Sequence, residues 1–369
     1  MIFVNDESGV ANIPTWIEHV EASEDGLGFA DTVFPAFLFI VGLSVPIAIK
    51  KRLEMGDSWF QVSRYILTRS LALIVMGFFH VNLENYNPES WLPAAAWQIL
   101  LTLSFFLIWL DYSPKISARI KYLLIASGIA TLVGLAIIYK GGSPAAPESM
   151  KPHWWGILGI IGWAYLVCAF IYLPVRSNLT FIMIALLLLT GINVASHTGL
   201  ITNGIPVLGD ASSASLVMCG IFVSEWYTKM IRESKRGHFI TACFALGIAF
   251  IAAGIFIRPF AGGISKIHST PAWVFLCSGL SAILFSFFAW LVDVKGKQHW
   301  FNIIKPAGTA TLTCYLLPYL LYGIYQLFDF RYFAFLNEGA GGIFRSFMVA
   351  FGLILLTGFL EKKHLTLKI

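Results

Sequence analysis

Charged residues are scarce in this sequence. Lys, Arg, Asp and Glu together make up 12% of the 369 residues, whereas a soluble globular domain carries about 25%. Hydrophobic residues make up 57%, so too little polar surface remains to cover a water-soluble fold. These values exclude a soluble domain, a disordered chain, a coiled coil and a DNA-binding module. We therefore predict an all-α polytopic membrane protein.

Cysteine is also rare, and no two cysteines form a CxxC pair. Each of the five cysteines lies inside an apolar run, which excludes a disulfide framework and a cysteine zinc site. No two histidines have the i, i+4 spacing of a zinc-binding helix, so we predict no metal. The sequence contains no glycine-rich phosphate loop, no strong internal repeat and no long linker.

Long apolar runs dominate what is present. A membrane-spanning helix needs about 20 mainly apolar residues, and about eleven segments provide them. We expect a single transmembrane helical domain over residues 29–369, preceded by an outer N-terminal segment, residues 1–28. The predicted spans are 29–49, 65–83, 92–110, 122–139, 155–174, 179–196, 211–228, 239–257, 271–292, 306–328 and 341–360.

The basic residues indicate how these spans are oriented. If the loop after the first span is cytoplasmic, 19 of the 25 Lys and Arg residues fall on the inner side, as the positive-inside rule expects. Thirteen of the 20 acidic residues fall outside, so the net charge is −7 outside and +12 inside. The rule does not require the outer acids, which also suit a cationic ligand outside and an anionic ligand inside. We expect a bacterial inner membrane, with residues 1–28 periplasmic and the C-terminus cytoplasmic.

The N-terminal segment is dense in polar groups. It contains six acidic residues and neither Lys nor Arg, so it is not a signal peptide. His19 carries an imidazole, the side chain type whose charge changes near neutral pH, and Asp31 stands at the start of the first span. We also expect a preceding helix to be missing, with Met1 in its last turn.

Three elements form a recognisable pattern: MIFVN at residues 1–5, His19, and GLGFADTVFPAFLFIVG at residues 26–42. They resemble the heparan-α-glucosaminide N-acetyltransferase family of membrane acetyltransferases. HWWGILGIIGWAYL, residues 153–166, resembles the family's bacterial branch of glucosamine N-acetyltransferases. In the family a helix with SLDxxRG precedes MxFVN, and this is the helix that we expect to be missing. The matching positions are Met1, Phe3, Val4, Asn5, His19, Gly26, Leu27, Ala30, Asp31, Val33, Phe34, Pro35 and Gly42.

The resemblance implies transfer of acetyl from cytoplasmic acetyl-CoA to the amino group of glucosamine or a glucosaminide on the outer side. It also implies that His19 and Asn5 are essential. His19 could take the proton of the amine or carry the acetyl group itself, and Asn5 could donate to the thioester oxygen. Asp31 could hold the ring of His19 or bind the sugar ammonium. Each residue also has a purely structural alternative. His19 could be a solvated loop residue, and Asn5 and Asp31 could each cap a helix end.

Further candidates lie in and beside the predicted spans. Asn82, Trp97 and Gln98 could contact the sugar or the pantetheine arm, although polar side chains in spans more often bridge helices. Basic residues at the inner span ends could bind the phosphates of CoA, since Arg pairs with phosphate through two hydrogen bonds. These are Arg52, Arg64, Arg69 and Lys305.

Arg345 has an unusual position. Only 15 residues separate it from Glu361, and at ~1.5 Å per residue they are shorter than a ~30 Å hydrocarbon core. Arg345 therefore lies inside the membrane or extends outward to the interface, and the sequence leaves both arrangements open.

Two other functions stay open. A secondary transporter for an amino sugar or another small cation would suit many spans and an acidic outer side, and an O-acetyltransferase could act on a sugar hydroxyl. The absence of a strong repeat and the polar cluster at an outer boundary favour the N-acetyltransferase. We expect the lipid bilayer, acetyl-CoA and an amino sugar as partners and no nucleic acid, and leave a homodimer open.

Overall fold

The computed structural model describes residues 1–369 and is mainly helical. One short antiparallel hairpin, in which Gly141–Ser143 pairs with Ala146–Glu148, interrupts the helices. Three 3₁₀ turns (Arg258–Phe260, Gln298–Phe301, Ala334–Leu336) and one π-helical turn (Trp290–Val294) complete the secondary structure. In chain order the elements are α1 (Ile2–Glu7), α2 (Phe29–Glu54), α3 (Trp59–Glu84), α4 (Ala94–Trp109), α5 (Ala118–Ile138), β1 (Gly141–Ser143), β2 (Ala146–Glu148), α6 (Gly156–Val175), α7 (Leu179–His197), α8 (Ser212–Arg232), α9 (Arg236–Ile257), α10 (Pro271–Ala289), α11 (Lys305–Thr309), α12 (Thr311–Leu327) and α13 (Gly339–Lys362).

Eight helices are long and apolar enough to cross a membrane: α2, α3, α5, α6, α7, α9, α10 and α13. This confirms the predicted all-α polytopic class. The other three predicted spans also coincide with helices, but these helices are shorter or more charged than the eight. α4 and α12 have 16 and 17 residues, and α8 has 21 but carries Glu225, Lys229 and Arg232 towards its end.

The chain divides into two compact units, each built from separate stretches of sequence. Unit 1 comprises Met1–Ile13, Ala72–Gly159 and His299–Ile369, and unit 2 comprises Pro14–Leu71 and Ile160–Gln298. The predicted outer segment thus contributes residues 1–13 to unit 1 and residues 14–28 to unit 2. The single domain over residues 29–369 stays a prediction.

Unit 2 packs its helices closely through small residues. α2 and α8 cross at Gly42 and Gly220, where a Cβ atom would lie 2.0 Å from the carbonyl oxygen of Val217 and 2.1 Å from that of Phe39, respectively. Only glycine permits this approach of two backbones, which is a common way of joining helices in a membrane. The crossing fixes the position of α2, the helix whose first turn carries Asp31.

Unit 1 encloses Arg345, whose side chain is buried in an ion pair. Its Nε lies 3.2 Å from Oδ2 of Asp6, and its Nη1 donates to Oδ1 of Asn337 at 2.7 Å. Tyr322 and Ser346 donate their hydroxyls to the same Asp6 carboxylate, at 2.8 and 2.7 Å. The structure therefore places this arginine against α1 in the interior of unit 1, while its depth in the membrane stays a prediction.

Candidate functional site

His19 and Asp31 form a close pair in unit 2. Nδ1 of His19 lies 2.6 Å from Oδ1 of Asp31, and Oδ2 accepts the backbone N–H groups of Val20 and Gly28, both at 3.1 Å. Asp31 is only 2% exposed, whereas 40% of the His19 side chain is exposed. Because Nδ1 faces a carboxylate, we assign the proton of the neutral ring to Nδ1, which leaves Nε2 as an acceptor.

The start of α2 explains why this pair forms. Asp31 is the third residue of α2, and its carboxylate accepts the N–H of Gly28, the residue that caps the helix. A carboxylate here also complements the positive end of the helix dipole. A Cβ on Gly28 would lie 1.9 Å from the carbonyl oxygen of Glu18, so glycine lets the loop that carries His19 pass close by. Asp31 therefore caps the helix and contacts His19 at the same time.

Lys266 is the third member of the site, and the sequence analysis did not select it. Its Nζ lies 3.2 Å from Nδ1 and 3.4 Å from Nε2 of His19, and 3.9 Å from Oδ1 of Asp31. Burial lowers the pKa of Lys266 below the usual lysine value, and the charge of Asp31 opposes this shift. The available signal was that Lys266 is one of only six basic residues on the predicted outer side.

Asp25 ties the N-terminal segment to the loop that carries Lys266. Its carboxylate accepts the N–H of Ile264 at 2.7 Å and the Nε–H of Arg258 at 2.9 Å. The hydrogen bond from Ile264 is the main reason why the pKa of Asp25 lies below its usual value. Gly26 donates its N–H to the carbonyl of Ile264 at 3.1 Å. These contacts hold residues 261–270 beside the loop of His19.

Replacing Lys266 with methionine should change how stability depends on pH. Because burial lowers the pKa of Lys266 in the folded protein, the unfolded chain binds more protons at pH values between the folded pKa and the unfolded one. The contribution of Lys266 to the free energy of unfolding therefore rises with pH across that window. We expect the Tm of the parent minus that of Lys266→Met to increase from pH 7 to pH 10. Lys140→Met, at an exposed position, is the control, and a constant difference for Lys266→Met would contradict the prediction.

The other predicted residues of the outer side lie in unit 1. Asn5 is exposed on α1. Asn82 is fully buried, and its amide binds the backbone carbonyl and N–H of Lys151 at 2.9 and 3.0 Å. Trp97 and Gln98 each donate to a backbone carbonyl, at 3.3 and 2.7 Å. Trp97 and Gln98 thereby connect α4 to α5 and α12, as the helix-bridging alternative expects, whereas Asn82 connects α3 to the loop before α6.

Two of the predicted phosphate ligands meet at one tyrosine in unit 2. The guanidinium of Arg52 lies 3.7 Å from the centre of the Tyr65 ring, and Arg69 donates to the Tyr65 hydroxyl at 2.8 Å. Arg52 also donates an Nη1–H to the carboxylate of Asp57 at 2.9 Å, so one of its donors is already in use. The other two candidates are exposed, Arg64 in unit 2 and Lys305 in unit 1.

Fold and site together define a polytopic helical membrane protein with a histidine, a carboxylate and a lysine at the start of one span. Residues 9–204 match the family described as "Domain of unknown function (DUF5009)", and the chain belongs to this family.

The chain is also similar to two curated proteins. Over 93 residues it is 40% identical to heparan-alpha-glucosaminide N-acetyltransferase of Homo sapiens and 38% identical to the Mus musculus protein of the same name. These matches cover 25% of this chain and 13% of each relative. The similarity therefore concerns a small part of each relative.

Proposed function

We propose that this protein is a membrane acetyltransferase. It moves acetyl from acetyl-CoA on the inner side to the amino group of glucosamine or a glucosaminide on the outer side. The observation that carries the proposal is the half-exposed imidazole of His19, held by a buried carboxylate at 2.6 Å. Two partly similar proteins are named as N-acetyltransferases, which supports the reaction type.

His19 supplies the proton chemistry. With Nδ1 held by Asp31, Nε2 takes a proton from the amine as it attacks the thioester carbon. The C–S bond breaks, and the proton passes from His19 to the departing thiolate. In a second route, Nε2 attacks the thioester carbon, the C–S bond breaks, and CoA departs as the thiolate while the acetyl group stays on Nε2. The amine then attacks the acetyl carbon, the bond to Nε2 breaks, and the proton of the amine passes through Nε2 to the thiolate. Both routes use the same nitrogen, and the pair supports either.

Negative charge that develops on the thioester oxygen needs a donor. The ammonium of Lys266, next to the His19 ring, is well suited because burial lowers its pKa and makes it a stronger proton donor. Asn5, which the sequence motif suggests, is a second proposed donor. Asp31 acts in this scheme as a positioning residue, since its oxygens are occupied by His19 and two backbone N–H groups.

Charge distribution supports the proposed sidedness. The phosphates of CoA do not cross a hydrocarbon core, because each would be a charged group in lipid. We propose that they stay at the inner basic residues while the largely uncharged pantetheine arm extends towards the outer side. We further propose a bacterial inner membrane, with residues 1–28 outside and the C-terminus inside. The proposed phosphate ligands are Arg52, Arg64, Arg69 and Lys305.

Sealed proteoliposomes of known orientation test the proposal. Acetyl-CoA is supplied only at the inner face and glucosamine only at the outer face. We expect N-acetylglucosamine to form at the outer face, since each substrate reaches its own side of the protein. The control omits acetyl-CoA and should give no product.

Three other outcomes would each contradict part of the proposal. Product that forms only when both substrates share one side would exclude the transmembrane route. Unmodified glucosamine that accumulates across the membrane without consumption of acetyl-CoA would indicate the secondary transporter. Acetylation of an acceptor that carries hydroxyls and no amine would indicate the O-acetyltransferase.

A further inference from the structure

The first turn of α2 lacks one of its helical hydrogen bonds, at the carbonyl group of Asp31. In an α-helix each backbone carbonyl accepts the N–H of the residue four positions further along. For Asp31 that residue is Pro35, which lies inside α2 and has no N–H to donate. Asp31 is 2% exposed, and buried backbone groups nearly always have a partner. Its carbonyl oxygen therefore needs a donor from outside its own helix.

Trp273 on α10 supplies this donor. Its indole Nε1–H donates to the carbonyl oxygen of Asp31 at 3.1 Å. Trp273 is 2% exposed and lies in the first turn of α10. The thiol of Cys277, one turn further along α10, has its Sγ 4.0 Å from the same oxygen, and a thiol is a weak donor. The hydrogen bond from Trp273 thus replaces the helical one that Pro35 removes.

The start of α2 is also held from the side of the N-terminal segment. The first N–H groups of a helix have no partner within it, and the first two of α2 donate to the carbonyls of Trp16 and Ile17 at 2.8 and 3.1 Å. Together with Trp273, these contacts fix the backbone that carries Asp31. The 2.6 Å contact of Asp31 with His19 depends on such support, because a misplacement of about 1 Å can cost about 100-fold in rate.

We propose that Trp273 is a positioning residue for acetyl transfer, whose indole N–H keeps Asp31 where its carboxylate holds the imidazole of His19. Without this N–H the first turn of α2 shifts, and the imidazole loses its fixed orientation. A group that orients the base acts on the chemical step, so its loss lowers kcat and changes KM little. The effect on the rate rests on the proposed function, whereas the effect on the contact between Asp31 and His19 does not.

Trp273→Phe and a restoring second substitution test the inference. Phenylalanine removes the N–H and keeps an aromatic ring, and we expect kcat to fall at least tenfold with little change in KM. Pro35→Ala gives residue 35 an N–H that donates to the carbonyl of Asp31 within α2. The double variant Trp273→Phe/Pro35→Ala should therefore regain most of the parent kcat. Pro35→Ala alone should keep the parent rate, because a carbonyl oxygen accepts two hydrogen bonds. Trp154→Phe, which removes an indole hydrogen bond in unit 1, is the matched control and should also keep it.

A spectroscopic signal of the hydrogen bond itself needs no acetyl-CoA. In the full chain with isotopically labelled histidine, in lipid nanodiscs, the proton on Nδ1 of His19 should give a downfield NMR signal, because it lies in a short hydrogen bond to a carboxylate. His19→Gln assigns the signal by removing it. We expect Trp273→Phe to lose the signal through exchange with water, and Trp273→Phe/Pro35→Ala to regain it.

Four results would overturn the inference: a parent without this signal, a Trp273→Phe variant that keeps it, a Trp273→Phe variant that keeps the kcat of an active parent, or a second substitution that restores neither. If Trp273→Phe does not fold, benzothienylalanine at position 273 decides, because this isostere of tryptophan replaces only the N–H, by sulfur. A parent that transfers no acetyl but shows the signal and its dependence on Trp273 would refute the proposed function and leave the positioning of Asp31 supported.

Discussion

Replacing His19 with alanine should abolish acetyl transfer and leave the fold intact. General acid–base catalysis contributes about 10²–10⁴-fold to a rate, and a route through acetyl-histidine would lose still more. The fold should survive, because the side chain is 40% exposed and its partner Asp31 keeps two backbone hydrogen bonds. The measurement is consumption of acetyl-CoA in the presence of glucosamine, together with the Tm of the purified variant.

A histidine elsewhere provides the control for this experiment. His153 is exposed in unit 1, so His153→Ala should keep the parent rate. A His19→Ala rate within tenfold of the parent would show that His19 is not the group that transfers the proton or the acetyl. Rapid quenching of the parent with acetyl-CoA alone separates the two routes, because only the covalent one leaves acetyl on His19.

Replacing Asp6 with alanine should destabilise the protein by about 3–5 kcal/mol, because it leaves the buried charge of Arg345 without its partner. The pair is almost inaccessible: the side chains of Asp6 and Arg345 are 4% and 9% exposed. The double variant Asp6→Ala/Arg345→Met should be more stable than Asp6→Ala alone, since it removes both buried charges. Denaturant unfolding in mixed micelles measures these differences.

An exposed ion pair in the same unit is the matched control. Arg331 and Asp329 are about 80% exposed and lie 3.1 Å apart, so Asp329→Ala should cost less than about 1 kcal/mol. If Asp6→Ala is equally mild, the charge of Arg345 is compensated by other groups, and the ion pair does not hold α1 against α13.

Hydrophobicity along the sequence was sufficient to predict the fold class. A run of about 20 apolar residues needs no partner to favour a membrane helix, because each residue contributes by its own transfer from water. The predicted spans therefore coincide with helices. His19 and Asp31 were selected from the polar N-terminal segment and from the family resemblance. They lie twelve residues apart, and a short loop before a helix start brings them together.

Tertiary packing decided the contacts between distant residues. Lys266 lies 247 positions from His19, and Arg345 lies 339 positions from Asp6. No local pattern encodes either distance, because both depend on which helices pack together. The contact of Asn82 could not be predicted for the same reason, since its amide binds the backbone at Lys151, 69 positions away. The sequence by itself determined which segments are helices and which short motif carries titratable groups. Only the tertiary structure decided which distant charge each group meets, because that depends on how the side chains of different helices fill the space between them.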